Sequence, residues 1–374
     1  MKRRTLIILT LKKHEDGIWI SKLVESLQAT AKDHQVVLSN EEGTETPSTV
    51  IEESQPIDIR VQPLEEWLAA GWLVSSPPKF FEDVIGIVNR VSDAASPPLF
   101  KAACAILGAA KLYQIPIVNG PITYSLCGNK WCHHLFFQQA GLESPKTLAY
   151  WNDRDEGNDT PGAPNKLEEV IKDGMQQEKN GSGLLIKPNS GGFGAGIQRV
   201  KTPSLDGDQP LPVFEDCVTL VQEYHPPKDN QLYRIWFLLG YVQCAVVRSI
   251  SDDGNDDDNT QFTNACAGTC SIQKPPSAWI VPEDVRRELE DQLLPLLTDA
   301  HCGSVEFLYS TQDSNDVQSK RLYFDLNLLS TLPTRVSSSN TTAGGGGGGG
   351  WADDYDPWME LANAVWKVVK EEEG

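Results

Sequence analysis

Hydrophobic and polar positions follow two periods along this chain, and each change of period marks an element. Thr5–Leu11 is a largely apolar run of strand length. Ile18, Ile20, Leu23, Val24 and Leu27 then recur at helical spacing and predict an amphipathic helix over Ile18–Ala29. A second strand is expected at Gln35–Leu38, a polar loop over Asn40–Thr49, a helix at Leu64–Ala70 and a strand at Val84–Val88. Pro97-Pro98 opens a helix to Tyr113, because proline is at ease in a first helical turn, and Ile115–Val118 is the next strand. Strands and helices in alternation predict an α/β layer of about one hundred residues, an ordinary domain size.

The pattern then changes. A helix is expected over Trp131–Ala140, closed by Gly141, and another over Asn165–Glu178. Strand patterns occur at Leu148–Trp151, Leu184–Ile186, Val218–Tyr224, Tyr233–Leu239 and Tyr241–Arg248, the last two forming a hairpin around Gly240. Val285, Leu289, Leu293, Leu296 and Leu297 predict a helix over Glu283–Ala300. Strands at Gly303–Tyr309 and Arg321–Leu328 flank a polar loop, Thr311–Lys320, and Trp358–Val369 is a closing amphipathic helix. Two insertions stand apart. Ser251–Gln261 holds a run of aspartates without the order or terminal Glu of an EF-hand, so it reads as a solvated loop. Gly344–Gly350 reads as a flexible tract with no phosphate role.

Candidate chemistry concentrates in two places. In Leu184–Val200 a strand carrying Lys187 runs into Gly191, Gly192, Gly194 and Gly196, and Ile-Gln-Arg-Val then alternates as a return strand. Glycines let such a tip bring backbone N–H groups against phosphate oxygens. A Walker loop has its lysine after the glycines and a helix behind it, and a dinucleotide turn also opens a helix, so neither fits. A protein kinase carries its lysine on a later strand and needs H-R-D and D-F-G, which are missing. The second place is the final strand pair, where alternation puts Glu306 on one face and Asp325 with Asn327 on one face of the next strand. Paired as a hairpin, these present three oxygen donors to one site, a set suited to Mg²⁺. Asp and Asn are poor strand formers, so both in mid-strand ask for a reason.

Charge narrows the partners. The 374 residues carry a formal charge of −20 and a pI near 4.7, which argues against nucleic acid and against an anionic membrane surface. Met1-Lys-Arg-Arg before an apolar run has the outline of a secretory signal, but the run is too short and Lys12-Lys13 close it. Eight scattered cysteines, with no paired C-x-x-C, suit a reducing, cytoplasmic setting. His133 and His134 lie beside Cys132, so a metal cluster is conceivable, but buried or surface-neutral thiols account for the cysteines better.

Taken in order, Lys130 opening a helix after Asn129, Lys187 with its glycine tip, Gln222-Glu223-Tyr224 at a strand end, Arg234 and Arg248 on a hairpin, then Glu306 and Asp325-x-Asn327, resemble the ATP-grasp superfamily. FDLNLLSTLP looks like its α-L-glutamate ligase and glutathione synthetase-like branch. Two positions depart from the pattern: Asn129 stands where the superfamily usually has Asp, and Asp325-x-Asn327 where it has Glu-x-Asn. The resemblance implies an α/β (α+β) chain with an N-terminal pre-ATP-grasp domain over 1–118 and an ATP-grasp domain over 119–374. The latter divides into a lid subdomain, 119–220, and a metal- and substrate-binding subdomain, 221–374. It also implies ATP and Mg²⁺ (or Mn²⁺) as cofactors. Lys130, Lys187, Gly191, Gly192, Gly194, Gln222, Glu223 and Tyr224 would hold the nucleotide, and Glu306, Asp325 and Asn327 the metal. Arg234 and Arg248 would be catalytic. The implied activity joins a carboxylate to an amine or thiol, with small molecules or a peptide as substrates. A homodimer is left open. A small-molecule kinase and a non-catalytic ATP-binding protein are the alternatives.

Overall fold

The computed structural model describes residues 4–38, 56–70, 81, 83–92, 96–151, 183–191, 196–200, 212–249, 277–310, 320–330, 332 and 355–371. The loop Asn40–Thr49, the helix Asn165–Glu178, the aspartate run and the glycine tract lie outside the described residues. So do Gly192, Gly194 and nearly all of the loop Thr311–Lys320.

Strands β1 (Arg4–Thr10), β2 (Ile57–Pro63), β3 (Val84–Asn89) and β4 (Ile117–Val118) form a parallel sheet in the order β2-β1-β3-β4. A parallel sheet is covered on both faces, and β1 is accordingly apolar on both. Leu6 and Ile8 enter one core, Ile7 and Leu9 the other. The helices of this half are α1 (Ile18–Leu38), α2 (Leu64–Ala69), α3 (Pro97–Leu112), α4 (Pro121–Cys127) and α5 (Lys130–Gln139).

Two expectations are corrected here. Gln35–Leu38 is no strand; it continues α1, because no glycine or proline interrupts the chain and extending a helix is easier than starting a new element. The second strand is Ile57–Pro63, whose Ile-Asp-Ile-Arg-Val-Gln alternation was overlooked. The helix expected over Glu283–Ala300 is also shorter. Its α-helical part, α6, is Glu283–Arg287, followed by a π-helical stretch, Glu288–Leu293, and a 3₁₀ turn, Leu294–Leu296, around Pro295, which has no N–H to continue the ladder.

The remaining strands build two antiparallel sheets. β5 (Thr147–Trp151), β6 (Leu184–Pro188), β7 (Gln198–Val200) and β8 (Val218–Glu223) pair in the order β5-β8-β6-β7. β9 (Gln231–Leu238), β10 (Tyr241–Ser249), β11 (Ser277–Ala278), β12 (Cys302–Ser310) and β13 (Lys320–Asn327) pair as β11-β10-β9-β12-β13. One face of this larger sheet, with Phe237, Val305 and Phe307, shares a core with Leu9 and Ile87 of the parallel sheet. The other, with Trp236, Cys244 and Val246, shares a core with Leu6, Ile8 and Val88. The last helix, α7 (Pro357–Glu371), returns to α1, where Trp366 Nε1 donates to Thr30 Oγ1 at 2.9 Å. It lies so near β3 that a Cβ at Gly86 would come within 2.8 Å of Val369.

Among the described residues, one buried side chain makes several bonds between the two halves. Asn119 follows β4 in the left-handed region (φ 61°). Its Oδ1 accepts the N–H groups of His301 (2.9 Å) and Cys302 (3.0 Å), and its Nδ2 donates to the Leu328 carbonyl (2.8 Å). Asn119→Ala orphans all three partners and puts a less tolerant residue at positive φ, so urea unfolding should show a loss of about 3 kcal/mol. A loss below about 0.5 kcal/mol, the level of an ordinary surface change, would show that these bonds do not hold the halves together.

Candidate active site

The positions of Lys130 and Lys187 follow from Asn189. This residue leaves β6 just after Pro188, and its carbonyl accepts the Lys130 N–H at 2.8 Å. Its Oδ1 accepts the Trp131 N–H at 2.9 Å, capping the first turn of α5 from another element, and its Nδ2 donates to Asn129 Oδ1 at 3.0 Å. The helix start is thereby fixed to the strand carrying Lys187. Lys130 Nζ donates to the carbonyl of Gly191, which takes φ 101° at the mouth of the glycine tip. β6 and β7 pair around that tip as expected.

Lys187 lies one residue before the end of β6 and is buried. A buried ammonium needs acceptors. Gln222 Oε1, on the neighbouring β8, accepts from Lys187 Nζ at 3.1 Å. The Gln222 amide nitrogen donates to His134 Nε2 (3.0 Å) and Thr147 Oγ1 (2.8 Å), so the amide has one orientation and Lys187 is held by it. Burial, then the charge of Lys187, pushes the His134 imidazole down to about 2, which keeps it neutral and able to accept that bond.

On the larger sheet, Arg234, Glu306 and Asp325 stand on one rung of β9, β12 and β13. Asn327 follows two positions on, opposite Ser304. Residues opposite one another share a face, so Glu306 and Asp325 stand side by side, with Asn327 one side-chain repeat along β13. Arg234 forms an ion pair with Glu306. Asp325 Oδ1 lies 3.3 Å from His133 Nδ1 on α5. Burial by itself would raise the Asp325 carboxyl, but the His133 contact, with Lys130 and Lys187 nearby, overrides it and holds the group below the usual carboxylate range. The charges of Lys130, on α5, and Lys187, on β6, thus act on Asp325. Among the described residues, no three His, Cys, Asp or Glu side chains gather as a metal cluster, which also answers the His133, His134 and Cys132 expectation.

A bulge between Glu306 and Phe307 skips Phe324. Tyr323 therefore faces Phe307 in the core, where alternation had placed Phe324.

Arg248 lies near the end of β10, opposite Leu232, on the same face as Arg234 and one side-chain repeat along. It is exposed and makes no ion pair among the described residues. At the end of β8, the N–H groups of Glu223 and Tyr224 are already donated, to Lys146 (2.9 Å) and Gly183 (3.1 Å). Arg199 of β7 stacks on Tyr224, 3.8 Å from the ring centre. The chain then leaves the sheet through His225-Pro226-Pro227 to begin β9, so this stretch connects the two antiparallel sheets.

Sequence reasoning missed the roles of His133 and His134. A signal was present: they sit three and four positions after Lys130, on a helix whose Phe137 predicts burial on that face, and a buried imidazole requires a partner.

No protein-family profile matches the chain, and no curated protein matches it by sequence. Solved structures do match. The D-cycloserine synthetase DcsG superposes with a TM-score of 0.58 at 13% identity, over 97% of this chain and 99% of that one. The macrocyclase MdnC from Microcystis aeruginosa MRC, bound with precursor peptide MdnA, gives 0.56 at 13%, over 98% and 99%. D-Alanine–D-alanine ligase from Bacillus anthracis, complexed with ATP, gives 0.53 at 10%, over 99% and 98%. PsnB, described as an ATP-grasp ligase, gives 0.53 at 11% over 97% of both chains. At such identities the likeness is one of fold: this chain has the fold of these ligases, one of them described as an ATP-grasp ligase.

Proposed function

We propose that this protein is an ATP- and Mg²⁺-dependent ligase that joins a carboxylate to an amine (or thiol) through an acyl phosphate, releasing ADP and phosphate. The observation that carries the reading is the Arg234–Glu306–Asp325 rung with Lys130 and Lys187 within electrostatic reach of it. Support also comes from proteins of the same fold: PsnB was solved with Mg and ADP, and the Bacillus anthracis ligase with ATP. PsnB and MdnC bind precursor peptides, so a peptide stands beside small molecules among the substrates. On this reading the working units are 1–118, 119–220 and 221–374.

The residues fit a magnesium site. Glu306 and Asp325 are carboxylates directly opposite one another, an arrangement that repels unless cations lie close, and the depressed Asp325 carboxyl is ionised. Glu306, Asp325 and Asn327 would hold the ion, which when bound supplies charge neutralisation at the nucleotide phosphates. Lys130 and Lys187 bind and orient the phosphates. Gly191, at the mouth of the glycine tip, lies beside them, and the backbone at Gln222, Glu223 and Tyr224 borders adenine. Arg234 orients Glu306. Arg248 faces the transferring phosphoryl group, where it stabilises charge as the substrate carboxylate attacks the γ-phosphorus and again as the amine displaces phosphate.

The test is trapping. Purified protein with MgATP, hydroxylamine and a panel of amino acids, dicarboxylates and peptides should yield a hydroxamate with at least one acid, together with ADP. Turnover of ATP with alcohol acceptors alone, and no hydroxamate, would replace the ligase with a kinase. Absence of ATP binding by calorimetry in the presence of Mg²⁺ would remove both.

A further inference from the structure

Arg90 immediately follows β3 at the C-terminal edge of the parallel sheet, the edge at which open α/β sheets bind ligands. Its guanidinium is buried (5% exposed), yet no carboxylate pairs with it among the described residues. Nη2 donates to the Leu329 carbonyl at 3.0 Å, the Trp19 ring lies 4.2 Å away, and Nε has no partner among the described residues. Buried charges are ordinarily paired, so an arginine held by one carbonyl and a ring face is one ion short of a complete environment.

Its surroundings have the same deficit. Thr10 ends β1, the strand beside Arg90, and its hydroxyl is buried without a partner. Ser330 follows the carbonyl that Arg90 holds, and its hydroxyl is likewise unpartnered. The Leu329 N–H is donated to Asn327 Oδ1 at 2.8 Å, so the chain from Arg90 leads directly to the proposed metal strand. Opposite Asn327 stands Ser304, and opposite Ser304 stands Trp236; the Ser304 hydroxyl and the Trp236 indole N–H are both buried and unpartnered. Trp236 belongs to the core in which the parallel sheet meets the five-stranded sheet. The guanidinium and the indole can only donate, and the hydroxyls are able to. Unmet donors on that scale are rare in native structures and call for an acceptor-rich anion.

We infer that Arg90 binds a carboxylate of the substrate that is not itself activated, so that the ligase takes an amino acid or a dicarboxylic acid. This deepens the ligase reading and rests on it. The planar guanidinium, with Nε free, can offer a carboxylate paired donors, and Thr10, at the end of the neighbouring strand β1, and Ser330, next to the Leu329 carbonyl, add hydroxyls. Held there, beside Leu329, the second functional group of the same molecule is directed along β13 toward Asp325 and the reacting phosphate.

The experiment uses the full chain, with MgAMP-PNP binding measured in every sample. Succinate, glutarate, malate and the twenty common amino acids are titrated by calorimetry and tryptophan fluorescence, with acetate and inorganic phosphate as comparisons. At least one dicarboxylate or amino acid should saturate a single site more tightly than acetate does. Arg90→Gln should weaken it by at least about tenfold, the scale of a hydrogen bond to a charged group. Arg90→Lys should recover part of the loss, since lysine keeps the charge and loses the fork. AMP-PNP affinity should stay within about threefold in both variants, which also shows that they are folded. No saturable binding of any acid, an unchanged affinity in Arg90→Gln, or tighter binding of phosphate than of every carboxylate would each overturn the assignment while leaving nucleotide binding in place. Loss of AMP-PNP binding by the wild type would instead remove the ligase reading.

Discussion

Lys187→Met should raise the dissociation constant for MgATP by about 50-fold while leaving thermal stability unchanged or slightly increased. The two effects have opposite causes. A charge-assisted bond to a phosphate oxygen contributes about 1.5–3 kcal/mol to binding, which converts to roughly 10- to 150-fold. In the free protein the same ammonium is buried and held by Gln222, and replacing a buried charge with an apolar side chain of similar length is often neutral or stabilising. Gln222→Leu separates the ammonium from its holder. The amide contacts Lys187, His134 and Thr147, so its loss should misplace the lysine and weaken ATP by about fivefold, a smaller effect because the charge itself remains. Calorimetric titration of the two variants with MgATP, beside thermal melts, checks both statements. An unchanged ATP affinity in folded Lys187→Met would make the buried lysine a structural residue of the smaller antiparallel sheet.

The extent to which this site was legible depended on whether a residue's role was local or tertiary. Glu306, Asp325 and Asn327 could be placed on one face because strand alternation is local and the intervening chain had to return as a hairpin. The glycine hairpin was legible for the same reason. Lys187 was found, but its burial was not, since Gln222 reaches it from a strand 35 residues away. His133 and His134 were visible as residues and not as partners, because the contacts to Asp325 and Gln222 are made by packing α5 on two different sheets. The three bonds of Asn119 join segments about 180 to 210 positions apart, which no periodicity encodes. Arg90 was passed over altogether, for a charged residue following a strand ordinarily points into solvent. The errors at Gln35–Leu38 and Ile57–Pro63 differ in kind. Both patterns were in the sequence, and a short apolar run was preferred to a full two-residue alternation.

The two arginines of the central hairpin have different neighbours, and that difference predicts different phenotypes. Arg234 is ion-paired with Glu306 on the adjacent strand, so its removal would strand a buried carboxylate and damage the metal strands along with catalysis. Arg248 occupies the same face one repeat along, is exposed, and makes no ion pair among the described residues. Its removal orphans nothing in the resting protein. On the proposed ligase mechanism, an arginine of this kind would act when negative charge appears before it, as the carboxylate attacks the γ-phosphorus and as the amine adds to the acyl phosphate. A positioned donor aimed at such charge contributes about 3 kcal/mol, or ~10²-fold in rate. Arg248→Ala should therefore lower kcat by about 10²-fold with the KM for ATP within about threefold and the melting temperature unchanged. Arg234→Ala should lose both turnover and stability. Steady-state phosphate release with the acid identified by hydroxamate trapping, run beside thermal melts, separates the two. A rise in the KM for ATP that matches the fall in kcat/KM, with kcat preserved, would place Arg248 on the bound nucleotide rather than on the transition state. A fall in stability equal to that of Arg234→Ala would return it to the sheet.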